Sequence, residues 1–390
     1  MDYGFDTLVS RKGLSTVKYD LMDKNGYPPD TIPMWVADMD FPSPPEVRKR
    51  LAELAGLGVF GYSMADEAYE DAVIGWFSRR VGYTPRREWI KVTPGVVFAI
   101  ATAIRAYTEP GDGILIQRPV YHPFERLILA NGRKLVNSPL IYRDGAYSID
   151  FDDFEHKLKT ENVKLFILCS PHNPVGRVWS EKELKALSEL CIRYGVIIIA
   201  DEIHCDFIYP WAKFVPYASL GEEALERLII CTAPSKTFNL AGLQLANIFI
   251  PNAALRDKYS AVLRRTGYGE PGFMALHACR TAYEQCATWL DALIDYLSGN
   301  LDLLRGALRE RLPEVKLVEP EGTYLAWLDF SGLGLNESEI ADTLKHKARL
   351  WFDSGSKFGP EGAGFQRVNI ACPRTVLAEA VERLTESFKK

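Results

Sequence analysis

Five short apolar runs, separated by helical stretches, constrain the fold of this chain more than any other feature. They are Gly113-Ile114-Leu115-Ile116-Gln117, Lys164 to Cys169, Val196 to Ala200, Leu228 to Cys231 and Ala246 to Ile250. Such an alternation is the pattern of an α/β protein, with a mainly parallel sheet covered on both faces. Between the second and third runs, Ser180 to Tyr194 reads as a helix. Ser180 is its N-cap, Glu183 the capping-box partner, and Leu184, Leu187, Leu190 and Cys191 form an apolar stripe. The last third changes character. A long helical stretch over Thr288 to Arg311 leads to a strand over Thr323 to Phe330, a helix, a strand over Gln366 to Ala371 and a terminal helix. A chain of 390 residues exceeds one ordinary domain. The expected division is a large domain over 46–285 and a smaller α+β domain built from 1–45 and 286–390.

Bulk properties narrow the function classes. The net charge is -5 and no Lys/Arg cluster stands out, so no nucleic-acid partner is expected. No apolar stretch approaches the ~20 residues needed to cross a bilayer, and no membrane association is expected. The start, Met1-Asp2-Tyr3-Gly4-Phe5-Asp6, is acidic and lacks an apolar secretory core. Seven cysteines without a Cys-x-x-Cys pair read as reduced thiols, which points to a cytoplasmic location. Six histidines without His-x-x-x-His spacing suggest no metal site.

Ligands of open α/β sheets bind beyond the carboxyl ends of the strands, so residues following each apolar run are the ones to inspect. After Leu228 to Cys231 comes Ser235-Lys236-Thr237-Phe238-Asn239-Leu240-Ala241-Gly242. A lysine there can condense with an aldehyde if its pocket lets it shed a proton. After Val196 to Ala200 comes Asp201-Glu202-Ile203-His204, whose aspartate suits a protonated ring nitrogen. Ser170-Pro171-His172-Asn173-Pro174-Val175-Gly176 describes a rigid turn from which Asn173 can donate to a phenolate oxygen. Thr93-Pro94-Gly95-Val96-Val97-Phe98 opens a helix after an extended segment, and its free amides form a phosphate cradle. Tyr121 can lay its ring on an aromatic ligand. Arg367, between apolar strand neighbours, needs an anionic partner: either a bound carboxylate or an internal Asp or Glu. Each segment standing alone also has a plain structural reading.

Together these segments resemble the fold-type I pyridoxal-phosphate enzymes of the class I/II aminotransferase superfamily, over essentially the whole chain. The order Gly95, Tyr121, Asn173, Asp201, Lys236, Arg367 matches that superfamily. The resemblance implies a seven-stranded, mainly parallel sheet in the large domain and pyridoxal 5'-phosphate as cofactor. It implies that Lys236 is the catalytic residue and covalent anchor, with Asp201 on the pyridine nitrogen, and Asn173 and His204 on the ring hydroxyl. Many relatives carry a tyrosine at the position of His204. The phosphate would rest on Gly95, Val96, Val97 and Ser235, and Arg367 would hold the substrate α-carboxylate.

Further segments look like the cystathionine β-lyase branch. They include Met34-Trp35-Val36-Ala37-Asp38-Met39-Asp40-Phe41, Gly61-Tyr62 and Asn369-Ile370-Ala371-Cys372-Pro373-Arg374. In that branch Trp35 and Ala37 would border the substrate, and Tyr62 would reach the phosphate in the neighbouring subunit of a homodimer with shared sites. Where aminotransferases usually carry a phosphate-binding arginine, this chain has Gln244, and Ala233 stands where serine is frequent. The implied activity is β-elimination from L-cystathionine and other cysteine S-conjugates, giving a thiol, pyruvate and ammonia. Two alternatives stay open: an amino acid aminotransferase, and a cofactor-binding regulatory protein.

Overall fold

The computed structural model describes residues 3–389, so Met1 and Asp2 of the acidic N-terminal segment lie outside the described residues. Its main sheet contains β1 (Ile90–Thr93), β2 (Gly113–Ile116), β3 (Lys134–Asn137), β4 (Val163–Cys169), β5 (Ile197–Asp201), β6 (Leu228–Thr232) and β7 (Ala246–Phe249). The spatial order is β1-β7-β6-β5-β4-β2-β3. Only β7 runs against its neighbours β1 and β6, so the mainly parallel seven-stranded sheet expected above is what forms. The five apolar runs are its inner strands. The two it adds are edges: β3 is half exposed and β1 carries a lysine, so neither reads as a continuous apolar run.

Alternate residues of the inner strands feed two separate cores. Ile114, Ile116, Ile167, Ile199, Ile229 and Ile248 face the helix Val96–Tyr107, which contributes Val96, Ala99, Ile100, Ala103 and Ile104. Leu115, Phe166, Leu168, Ile198, Leu228, Ile230 and Phe249 face the other way, toward the helix Glu181–Arg193 and the rest of the chain. Each buried aliphatic side chain contributes roughly 1.5–3 kcal/mol, which is why strands apolar on both sides stay in the middle of the sheet. The Glu181–Arg193 helix has the expected reciprocal cap between Ser180 and Glu183.

A second sheet, antiparallel throughout, holds β8 (Lys316–Val318), β9 (Leu325–Asp329), β10 (Asp353–Ser354) and β11 (Phe365–Asn369) in the order β8-β9-β11-β10. Strands β9 and β11 answer to the two expected ones. The end of β11 is earlier than the pattern suggests, because the Asn369 amide turns to the N-terminal segment, its N–H donating to the Met34 carbonyl at 2.8 Å. A two-residue parallel pair, Ile32–Pro33 with Leu350–Trp351, ties that segment to the C-terminal third. The helix Ala287–Arg311 packs through a stripe of Trp289, Leu293, Leu297, Leu301, Leu304 and Leu308.

Candidate active site

The parallel register brings the candidate residues to one edge. Cys169 pairs with Asp201 and Asp201 with Cys231, so β4, β5 and β6 end side by side. Asn173 lies in the turn after β4, and Lys236 in the short helix Pro234–Thr237 after β6. Asp201 is the last residue of β5 rather than the first beyond it, one correction to the sequence reading. Gly176, at φ 75°, closes the Asn173 turn. A side chain there would come within 2.9 Å of Pro320 Cβ, so only glycine fits.

These ends surround a cavity of about 180 Å³. Gly95, Val96, Val97, Tyr121, Asn173, Asp201, His204, Ser235, Lys236 and Ala37 all line it, with the apolar Ile100, Phe124, Cys169 and Ile203. The Val96–Tyr107 helix starts at the cavity wall, so its first-turn amides have no carbonyl of an earlier turn to bond. The space that a Cβ at Gly95 would occupy is open.

Burial, then the nearby Arg367 cation, lowers the Lys236 amine to about 8, and its Nζ donates to the Ala37 carbonyl at 2.6 Å. Burial raises the Asp201 carboxyl to about 7 against the opposing pull of the Ile203 N–H and the Lys236 charge. Burial also pushes the His204 imidazole well below its usual range, so the ring is neutral. Its Nδ1 is buried without a partner among the described residues.

Arg367 sits behind Asn173, both side chains buried. Its Nη1 donates to Asn173 Oδ1 at 3.0 Å, and its Nη2 to Asp353 Oδ2 at 2.6 Å and to the Trp35 carbonyl at 2.7 Å. Of the two partners weighed from the sequence, the structure supplies an internal one, Asp353. It also leaves the buried Nε without a partner among the described residues.

The segment 35–41 is held by its carbonyls. Ala37 O takes Lys236 and the Tyr324 hydroxyl, Val36 O and Asp38 O take the Asn369 side-chain amide, and Met39 O and Phe41 O take that of Asn239. Trp35 meets the site through its backbone, while its ring stacks on Trp351 at 4.5 Å. Tyr62 is 99% exposed and does not join the cavity of its own chain. Gln244 is exposed and lies outside the lining too. Asp353, Tyr324, Asn369 and Asn239 are contacts the sequence reading did not assign. Asn239 and Asn369 stand inside the segments quoted above, which was a usable signal, whereas Asp353 had none.

A family model, aminotransferase class I and II, matches residues 29–384. The chain is 43% identical over 380 residues to cystathionine beta-lyase PatB of Bacillus subtilis, covering 97% of this chain and 98% of that one. It is 32% identical over 391 residues to protein MalY of Escherichia coli, covering 99% of each. Among solved structures it resembles cystalysin of Treponema denticola, which contains pyridoxal 5'-phosphate, at a TM-score of 0.96 and 37% identity over 99% of both chains.

Proposed function

The chain belongs to the class I and II aminotransferase family, and from that premise we propose that it is a pyridoxal-phosphate-dependent carbon–sulfur β-lyase. Its substrates are L-cystathionine and related cysteine S-conjugates, and its products a thiol, pyruvate and ammonia. One observation carries the reading. An amine lowered to about 8, a buried carboxylate and a helix N-terminus with open space beside it share one cavity. The lyase named PatB, 43% identical over nearly the whole chain, supports this branch over an aminotransferase.

The residues suit the cofactor. Asp201 would hold the proton of the ring nitrogen, and Asn173 with neutral His204, whose Nδ1 lacks a partner, would hold the ring hydroxyl. Tyr121 would cover the ring. The amides at Gly95, Val96 and Val97 and the Ser235 side chain would take the phosphate, joined by Tyr62 of a second copy. Pyridoxal phosphate, when bound, supplies the electron sink that acidifies the Cα–H and lets a β-thiolate leave.

The chain's own groups do the rest. Arg367, bonded to the cavity-lining Asn173, would bind the substrate carboxylate and orient Cα. Lys236 Nζ, an amine that is substantially neutral near pH 8, takes the Cα proton as general base. Ala37 O, 2.6 Å from that nitrogen, gives it a resting position beside the substrate. The apolar wall of Ile100, Phe124 and Ile203 limits water around the reacting atoms.

The same reading divides the chain into a large domain, 46–285, and a small one, 1–45 with 286–390. The pairing of Ile32–Pro33 with Leu350–Trp351 supports that division. A cytoplasmic location is supported by seven buried, unbridged cysteines. The test is pyruvate release from L-cystathionine by the purified holoenzyme. Rapid release, abolished in Lys236→Ala, is expected. Conversion of the cofactor to its pyridoxamine form without pyruvate would overturn the lyase in favour of a transaminase.

A further inference from the structure

Arg367 poses an electrostatic problem. A guanidinium that must bind a substrate carboxylate is already paired, out of water, with a carboxylate of its own. Asp353 Oδ2 lies 2.6 Å from Arg367 Nη2, and both side chains are 4% exposed. As an isolated pair their charges sum to zero. An incoming carboxylate would then meet no net attraction and would stand close to a buried anion.

The other oxygen of Asp353 shows how the chain resolves this. Lys357 Nζ donates to Asp353 Oδ1 at 2.7 Å, so one carboxylate bridges two cations and the trio carries a net charge of +1. Lys357 is placed there by its turn. It stands four residues after Asp353 in the 3-10 turn Gly355–Phe358. The same turn puts the Phe358 ring 4.7 Å from the Arg367 guanidinium carbon. Lys357 Nζ also lies 5.7 Å from the ring of Trp35, whose carbonyl accepts from Arg367 Nη2. Its side chain is 47% exposed, so it reaches the site from the solvent side.

We propose that Lys357 is a positioning residue for the substrate carboxylate, acting through Asp353 to leave Arg367 with an uncompensated positive charge. This rests on the reading that Arg367 binds that carboxylate. Its consequence is a site selective for free amino acids: an α-carboxylate gains from the net charge, and an amide or ester in its place does not.

The experiment measures the Kd of the holoenzyme for L-alanine, from the change in cofactor absorbance, together with KM and kcat on L-cystathionine. Lys357→Gln is expected to raise Kd and KM about tenfold, the effect of one partly screened charge near the site. The kcat should stay within a factor of about two, since no group on the reacting atoms is touched. Lys357→Arg should restore both constants. In an Asp353→Asn background, Lys357→Gln should change both much less, because the half-exposed lysine, no longer held by that anion, turns to solvent and is screened. An unchanged Kd in Lys357→Gln, or an equal loss in both backgrounds, would overturn the proposal. Arg367→Ala separates the two ideas: if it leaves Kd unaltered, the carboxylate reading itself has failed. If it weakens binding at least a hundredfold while Lys357→Gln does nothing, only the role of Lys357 has failed.

Discussion

Behind Asp201 stands a second acid that the proposed chemistry does not use. Glu202 is buried, takes the Tyr217 N–H on Oε1 at 2.8 Å, and leaves Oε2 without a partner among the described residues. Burial, reinforced by the neighbouring Asp201, raises its carboxyl to about 8, while burial raises Asp206 to about 6. At these two carboxyls the folded protein therefore binds more protons than the unfolded chain between the ordinary carboxylate range and about pH 8. Their contribution to stability is lost as pH rises through that window. Glu202→Gln keeps an acceptor for Tyr217 and removes the charge. We expect it to raise the midpoint of thermal unfolding by a few degrees at pH 8.5 and by less at pH 5. An equal shift at both pH values would show that ionisation is not the cause. At this scale the sequence was informative wherever chemistry needs an unusual residue in an apolar setting, as with Lys236, Asp201 and Arg367. It was silent on Asp353, because a two-residue edge strand has no periodicity to mark it.

Among the elements, the turn carrying Lys357 is the most tightly built. A Cβ on Gly355 would come within 1.9 Å of the Gly362 carbonyl, and one on Gly362 within 2.1 Å of the Gly355 carbonyl. Both obstacles are backbone, so the turn has no slack to absorb a methyl group. Gly355→Ala should cost about 1–3 kcal/mol of stability. Gly306, within the helix Ala287–Arg311, is the control. Nothing lies within 4 Å of its Cβ position, so Gly306→Ala should stabilise by about 0.5–1 kcal/mol. Urea unfolding of the two variants checks both signs, and a neutral Gly355→Ala would mean that the turn relaxes. Helices and inner strands were predictable because their burial repeats along the chain. The Gly355–Gly362 contact was not, since two glycines seven residues apart say nothing of their meeting.

For the whole molecule, the segment after the first long helix matters most. Val59, Phe60, Tyr62 and Met64 are each more than 60% exposed, an apolar run that a lone chain leaves in water. The homodimer with shared sites proposed above would cover it with a second copy and bring Tyr62 to the phosphate end of the neighbouring cavity. If so, Lys236→Ala and Tyr62→Ala chains, each deficient alone at limiting cofactor, should complement when mixed and reassembled. Random pairing gives half hetero-dimers with one intact site each, so about a quarter of wild-type activity should return. No recovery would place Tyr62 outside the partner's site.

By itself the sequence determined the five inner strands of a mainly parallel sheet and the residues at its carboxyl edge, because these follow from local periodicity and from the rule for where open sheets bind ligands. Only the tertiary structure decided what Arg367 pairs with, which carbonyls hold Lys236 and Asn369, and that Tyr62 faces away from its own cavity. Those contacts join residues from 14 to more than 300 positions apart. They depend on packing between separate elements, and the short-range pattern of a chain carries no trace of it.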